Sequence, residues 1–266
     1  MQEMNKGLYV VNVLVFIVML MLNYFSAMGW INGESQASIS AAYYNLFVPA
    51  GYAFSIWGLI YLSIAGYLAF EGRKILCNVV DDPAREDKTG WLLLFTNLFI
   101  VAWLFLWSFH YIGWALLAMT VILICLIGIM HNERIALDDE PLSRFVFNLW
   151  PFSLFTGWIS VAFIANAAAY GTKLGLRETL NETAWTVGAI GLAVLLNIFI
   201  VRFRNARLFS LVGVWALIAI AVARFSQGVD TVGYAAALGA GIVFVHTAVH
   251  GFMNRKKTPF RSGKLR

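Results

Sequence analysis

The chain has 266 residues, of which 61% are hydrophobic and 12% charged, with a formal net charge of +5. That charged fraction is about half that of an ordinary soluble domain, which excludes a water-soluble globular fold. The basic residues gather at the ends of apolar blocks, which points to membrane topology rather than nucleic-acid binding, and two scattered cysteines, Cys77 and Cys125, exclude a disulfide or zinc framework.

Eight hydrophobic blocks follow one another at residues 8–31, 50–71, 91–109, 111–130, 145–170, 184–201, 207–224 and 233–253. Each approaches the roughly 20 residues that a helix needs to cross a bilayer. Inside lipid the backbone must satisfy its own hydrogen bonds, so the blocks predict helices. The alternating ten-residue pattern of a membrane β-barrel is absent. The first block is too long and too bulky for a cleaved signal peptide and predicts a retained helix. The third and fourth meet at His110 with almost no loop, so a tight helical hairpin is expected. The seventh is the shortest. The expected fold is all-α: a polytopic transmembrane helical bundle of about eight spans.

Even span number puts both termini on one side. That side then carries sixteen basic residues: Lys6, Arg73, Lys74, Arg85, Lys88, Arg134, Arg144, Arg202, Arg204, Arg207 and six in the tail after Met253. The other side carries three, Lys173, Arg177 and Arg224. The asymmetry predicts cytoplasmic termini, and a plasma (inner) membrane location is expected. The basic tail either enforces that topology or binds anionic headgroups. The acidic run Asp81–Asp82 and Glu86–Asp87 reads as a solvated loop.

The entry to the second helix reads Pro49-Ala50-Gly51-Tyr52-Ala53-Phe54-Ser55-Ile56-Trp57, with Tyr61 following. Pro49 suits a first helical turn, and Gly51 permits close approach of a neighbour or ligand. Phe54, Trp57 and Tyr61, spaced i, i+3, i+7, put three rings on one face. Such a face serves a flat apolar ligand, or else an interfacial belt and helix packing. The stretch resembles the second-helix signature of the tryptophan-rich sensory protein and translocator protein (TspO/MBR) family, P-P-G-W-x-F continuing to W-x-x-x-Y. Ala50 stands for the second proline and Tyr52 for the tryptophan, and Trp57 comes one residue early. The fifth helix resembles the family's W-x-S/T-x-A-x-x-x-N pattern at Trp158, Ser160, Ala162 and Asn166, with Pro151 upstream. Asn166 either orients a ligand or makes an interhelical hydrogen bond. In the third helix Trp103 and Trp107 share a face, whereas Asn97 lies about 120° from Trp103.

The resemblance covers residues 8–170. It implies a five-helix domain at 1–170, followed by an additional three-helix region at 171–253 and a basic tail at 254–266. It further implies binding of a flat hydrophobic ligand, such as a porphyrin, haem or sterol, with a sensory or transport role and no required cofactor. The pocket would lie among the second, third and fifth helices. Pro49 and Gly51 would open it, and Tyr52, Phe54, Trp57 and Tyr61 would supply stacking surface. Trp103 and Trp107 would extend that surface, and Trp158 and Asn166 would close the far wall. Two other readings stand beside it, a small-solute secondary transporter and a membrane enzyme. No embedded pair of carboxylates supports a proton-coupled carrier, and no P-loop, nucleophile elbow or dinucleotide fingerprint appears.

The eighth helix carries His246 and His250 at i, i+4. They are weak candidates for a metal site or proton shuttle, against an interfacial or packing role. Gly233, Ala237 and Gly241 form a small-residue ridge suited to packing within the bundle or between copies in a homo-oligomer. Asn181-Glu182-Thr183 fits a glycosylation sequon.

Overall fold

The computed structural model describes residues 6–77, 88–133, 142–179 and 181–254. The acidic run at 81–87 and the basic tail from 255 onward lie outside these residues. Among the described residues there are helices and no strands. The long helices are α1 (Lys6–Ala27), α3 (Ile56–Leu76), α4 (Lys88–Ser108), α5 (Ile112–Asn132), α7 (Trp150–Lys173), α9 (Glu182–Arg204), α10 (Arg207–Phe225) and α11 (Asp230–Met253). Short helices α2 (Gln36–Ala42), α6 (Leu142–Arg144) and α8 (Leu176–Thr179) lie between them. Eight of these segments are long and apolar enough to span a bilayer. The chain is a polytopic helical membrane protein, and the expected hairpin at His110 is the α4–α5 turn. His110 takes φ 60°, which lets the chain reverse within a few residues.

Five spans close into a ring in the order α1, α4, α5, α7, α3, back to α1. The last three, α9, α10 and α11, pack on one another and join the ring through α10 against α7. One apolar core cluster runs through both sets. Small residues set the close crossings. A Cβ at Gly157 would lie 2.9 Å from the Phe209 carbonyl oxygen, so glycine is what admits α10 against α7. At Gly213 the space is filled by the Asn197 side chain of α9. Buried asparagines add polar ties: Asn12 donates to the Gly90 carbonyl (3.1 Å), joining α1 to α4.

Two spans open with departures from regular α-helix. The second span begins as a 3-10 turn over Gly51–Ser55. Pro49 therefore stands before the N-cap Ala50, not in the first helical turn as expected. In the fifth span, a π turn over Phe145–Leu149 precedes Pro151. Proline lacks an N–H and crowds the carbonyl four residues back, and the wider turn absorbs both without a break. The seventh span, α10, is the shortest and is largely enclosed by protein. Its alanines, Ala216, Ala219, Ala221 and Ala223, let neighbours close around it.

The ridge on α11 packs only in part. Gly233 lies under the Phe225 ring, whereas Ala237 and Gly241 are exposed. The buried face of α11 carries Ala236, Gly239, Ala240 and Val243 instead, with Gly239 against Val194 of α9. Asn181 is the N-cap of α9, its side chain accepting from the Ala184 N–H at 3.0 Å.

Candidate ligand-binding site

The segment between α1 and α3 covers the end of the bundle opposite the termini. Gly29 and Gly33, both at positive φ, turn the chain after α1, and Ser35 caps α2 through the Ser38 N–H. α2 rests on α4, with the Trp107 indole donating to the Gln36 carbonyl at 3.3 Å. The following residues are held by α10. Arg224 donates to the Tyr44 hydroxyl at 2.6 Å and to the Val48 carbonyl at 3.3 Å. The Ala50 N–H reaches the Ala219 carbonyl at 3.0 Å, and the Trp215 indole donates to the Ala53 carbonyl at 3.2 Å. Arg224 is 1% exposed, and no carboxylate among the described residues pairs with it.

At the entry to the second span the aromatic residues of α3, together with the exposed Phe54, meet α7. Trp57 stacks on Tyr61 (5.3 Å between centroids) and meets Trp158 edge-on at 6.4 Å and Phe155 at 6.0 Å. Phe54 also meets Trp158 edge-on, at 5.8 Å. A 3-10 turn closes in three residues, so the early position of Trp57 still leaves it on the same side as Phe54. The Tyr61 hydroxyl accepts from Asn23 at 2.7 Å. Trp158 is buried, yet its indole N–H has no partner among the described residues. Two turns further along α7, Asn166 accepts from the Trp103 indole at 3.0 Å, and Trp103 stacks on Trp107 at 5.7 Å.

The expected residues thus fall into two groups joined by α7: Phe54, Trp57, Tyr61 and Trp158, and then Trp103, Trp107 and Asn166. Tyr52 joins neither. It is exposed and meets Trp215 of α10 edge-on at 5.3 Å. A Cβ at Gly51 would meet nothing within 4 Å, so no neighbouring chain makes the expected close approach there. Asn97, off the Trp103 face as its spacing requires, is fully buried with neither side-chain atom partnered. Phe155, Asn23, Trp215 and Arg224 were not legible as parts of this region, although Phe155 lies one helical turn from Trp158.

At the rim His110 links the α4–α5 turn to the covering segment. Its Nε2 lies 2.6 Å from a Glu34 carboxylate oxygen and its Nδ1 3.1 Å from the Tyr43 hydroxyl. An ionised carboxylate only accepts, so in the neutral ring Nε2–H donates to Glu34 and Nδ1 accepts from Tyr43. Burial, and then the Glu34 charge, push the Tyr43 phenol above its ordinary pKa.

A model of the TSPO-like protein family matches residues 9–249. The chain belongs to that family. The match runs through all eight spans of this TSPO-like protein, beyond the residue 170 at which the motif resemblance stops. No curated protein and no solved structure matches the chain.

His246 and His250 lie apart from the aromatic groups, near the last turns of α11, with their rings stacked 6.4 Å apart. Among the described residues no three His, Cys, Asp or Glu side chains come together as a metal site.

Proposed function

We propose that this TSPO-like membrane protein binds a flat hydrophobic ligand of the porphyrin, haem or sterol class, in a sensory or transport role. The observation that carries the reading is the buried, unpartnered Trp158 indole N–H within the rings of Phe54, Trp57 and Phe155. A buried donor without an acceptor costs about 1–3 kcal/mol. A ligand with a ring acceptor recovers that cost while its faces stack on the surrounding aromatics. Trp103, Trp107 and Asn166 extend the surface toward the rim, and Pro49 and Gly51 stand at the entry to the second span, on the segment that α10 holds. The basic asymmetry orients the protein with both termini in the cytoplasm.

The test is a porphyrin titration of the detergent-purified protein, followed by quenching of its ten tryptophans. Saturable quenching is expected, weakened at least tenfold by Trp158→Ala and by Trp57→Ala, in variants that keep the wild-type elution profile. Unchanged porphyrin affinity in both folded variants overturns the reading.

A further inference from the structure

The last turns of α11 meet the first turn of α10 at the end of the bundle that carries the termini. Arg207, the first residue of α10, lies along Gly251, its Nε and Nη1 each 3.7 Å from where a Cβ would stand. The charges of Arg207 and Arg202 act on His250, as does His246 one turn before it. His246, Thr247 and His250 fall within about 100° of one another around the α11 axis, so they present one face.

This face is short of hydrogen-bond partners. Arg207 Nε and Nη2, His246 Nδ1, His250 Nδ1 and Thr247 Oγ1 are all buried and unpartnered among the described residues. The two guanidinium atoms are the pair whose N–H groups point the same way, the edge that takes two oxygens of one anion. Among the other cations at this end, Lys74 pairs with Glu71, Arg144 with Glu133, and Arg204 donates to the Met130 carbonyl. No described carboxylate pairs with Arg207. Thr247 is 5% exposed, whereas Arg207, His246 and His250 remain part-exposed at the bundle surface. These three part-exposed side chains border the bundle surface, from which a ligand approaches.

We propose that Arg207, His246, Thr247 and His250 form a binding site for a phosphate oxyanion, that of an anionic phospholipid headgroup. Two permanent positive charges beside the histidine pair disfavour a metal cation and favour an anion. Helix ends lie at headgroup depth, where basic pockets between transmembrane helices meet lipid phosphate. Exposed Phe203 and Phe252 near the same ends of α9 and α11 give acyl chains an apolar surface to follow.

The experiment uses the full chain, delipidated in neutral detergent. Retention of phosphatidylglycerol against phosphatidylcholine is read by native mass spectrometry, and inorganic phosphate is added in a separate thermal-shift arm. One phosphatidylglycerol should be retained saturably. Arg207→Lys keeps the charge but loses the two-oxygen edge and should weaken retention about tenfold. Arg207→Gln should weaken it further, and Lys74→Gln should leave it unchanged. A thermal shift by phosphate alone, abolished by Arg207→Gln, would assign the same donors to a free anion rather than a lipid. Retention equal in wild type and both Arg207 variants, with no phosphate shift, overturns the proposal, as does an equal loss in Lys74→Gln. If the Arg207 variants do not fold, His250→Gln and Thr247→Val carry the test, and unchanged retention in both overturns it.

Discussion

At the scale of single residues, several indoles and amides of the bundle interior are tied to a neighbouring element. Asn166 is the clearest case. Its spacing from Trp158 placed it on the inward face, and its acceptor oxygen takes the Trp103 indole N–H. Removing either side leaves the Trp103 indole N–H or the Asn166 amide oxygen unpaired, while in Trp103→Phe the Asn166 N–H still donates to the Ala162 carbonyl. Asn166→Ala and Trp103→Phe should therefore each cost about 1 kcal/mol of stability, with about 0.6 kcal/mol coupling in the double mutant. Reversible unfolding in mixed micelles measures this cycle. Additive losses would mean that the bond contributes nothing measurable. The tryptophans and Asn166 were readable because such residues are conspicuous in an apolar run. Phe155 was not, because one phenylalanine among twenty-one carries no signal of what it touches. Arg224 was counted only as a topological minority, although a cation inside a span signals a specific partner.

At the scale of elements, the long apolar blocks read directly as helices, since a bilayer leaves them no alternative. What the blocks could not convey is how each helix departs from ideal geometry. The 3-10 entry of the second span and the π turn before Pro151 are responses to neighbours and to one missing N–H, and neither alters hydropathy. Helix crossings are equally hidden, because a glycine that admits a neighbour looks like any other glycine. Gly157 and the pair Gly188 and Gly191 test this distinction. At Gly157 a Cβ meets backbone of α10, which cannot yield, so Gly157→Ala should destabilise the protein by about 1–3 kcal/mol despite its better helix propensity. At Gly188 and Gly191 nothing lies within 4 Å, and alanine there should be neutral or stabilising by up to about 1 kcal/mol. Thermal unfolding of the three variants in one detergent separates the two cases. A Gly157→Ala variant as stable as wild type would mean that α7 and α10 can part without cost.

At the scale of the whole molecule, eight spans were countable from hydropathy and charge, whereas the way they assemble was not. The motif resemblance ended at residue 170 because the last three helices have no counterpart in the five-helix pattern it rests on. Yet α10 is central: it packs on α7 and anchors the segment leading into α3 through Ala219, Trp215 and Arg224. The basic residues predict an orientation, and the two free cysteines make it measurable. Cys77 is exposed at the end of α3 that lies with the termini, and Cys125 is buried within α5. A membrane-impermeant maleimide should therefore modify Cys77 in inverted vesicles and spare it in right-side-out vesicles, leaving Cys125 unreacted in both. Tyr111 is exposed at the α4–α5 turn on the opposite face, so a Cys77→Ser/Tyr111→Cys variant should show the reverse pattern. Cys77 labelling from outside would overturn the charge-based orientation. Labelling of both sites from the same face would go further, because α3, α4 and α5 could not then each cross the bilayer.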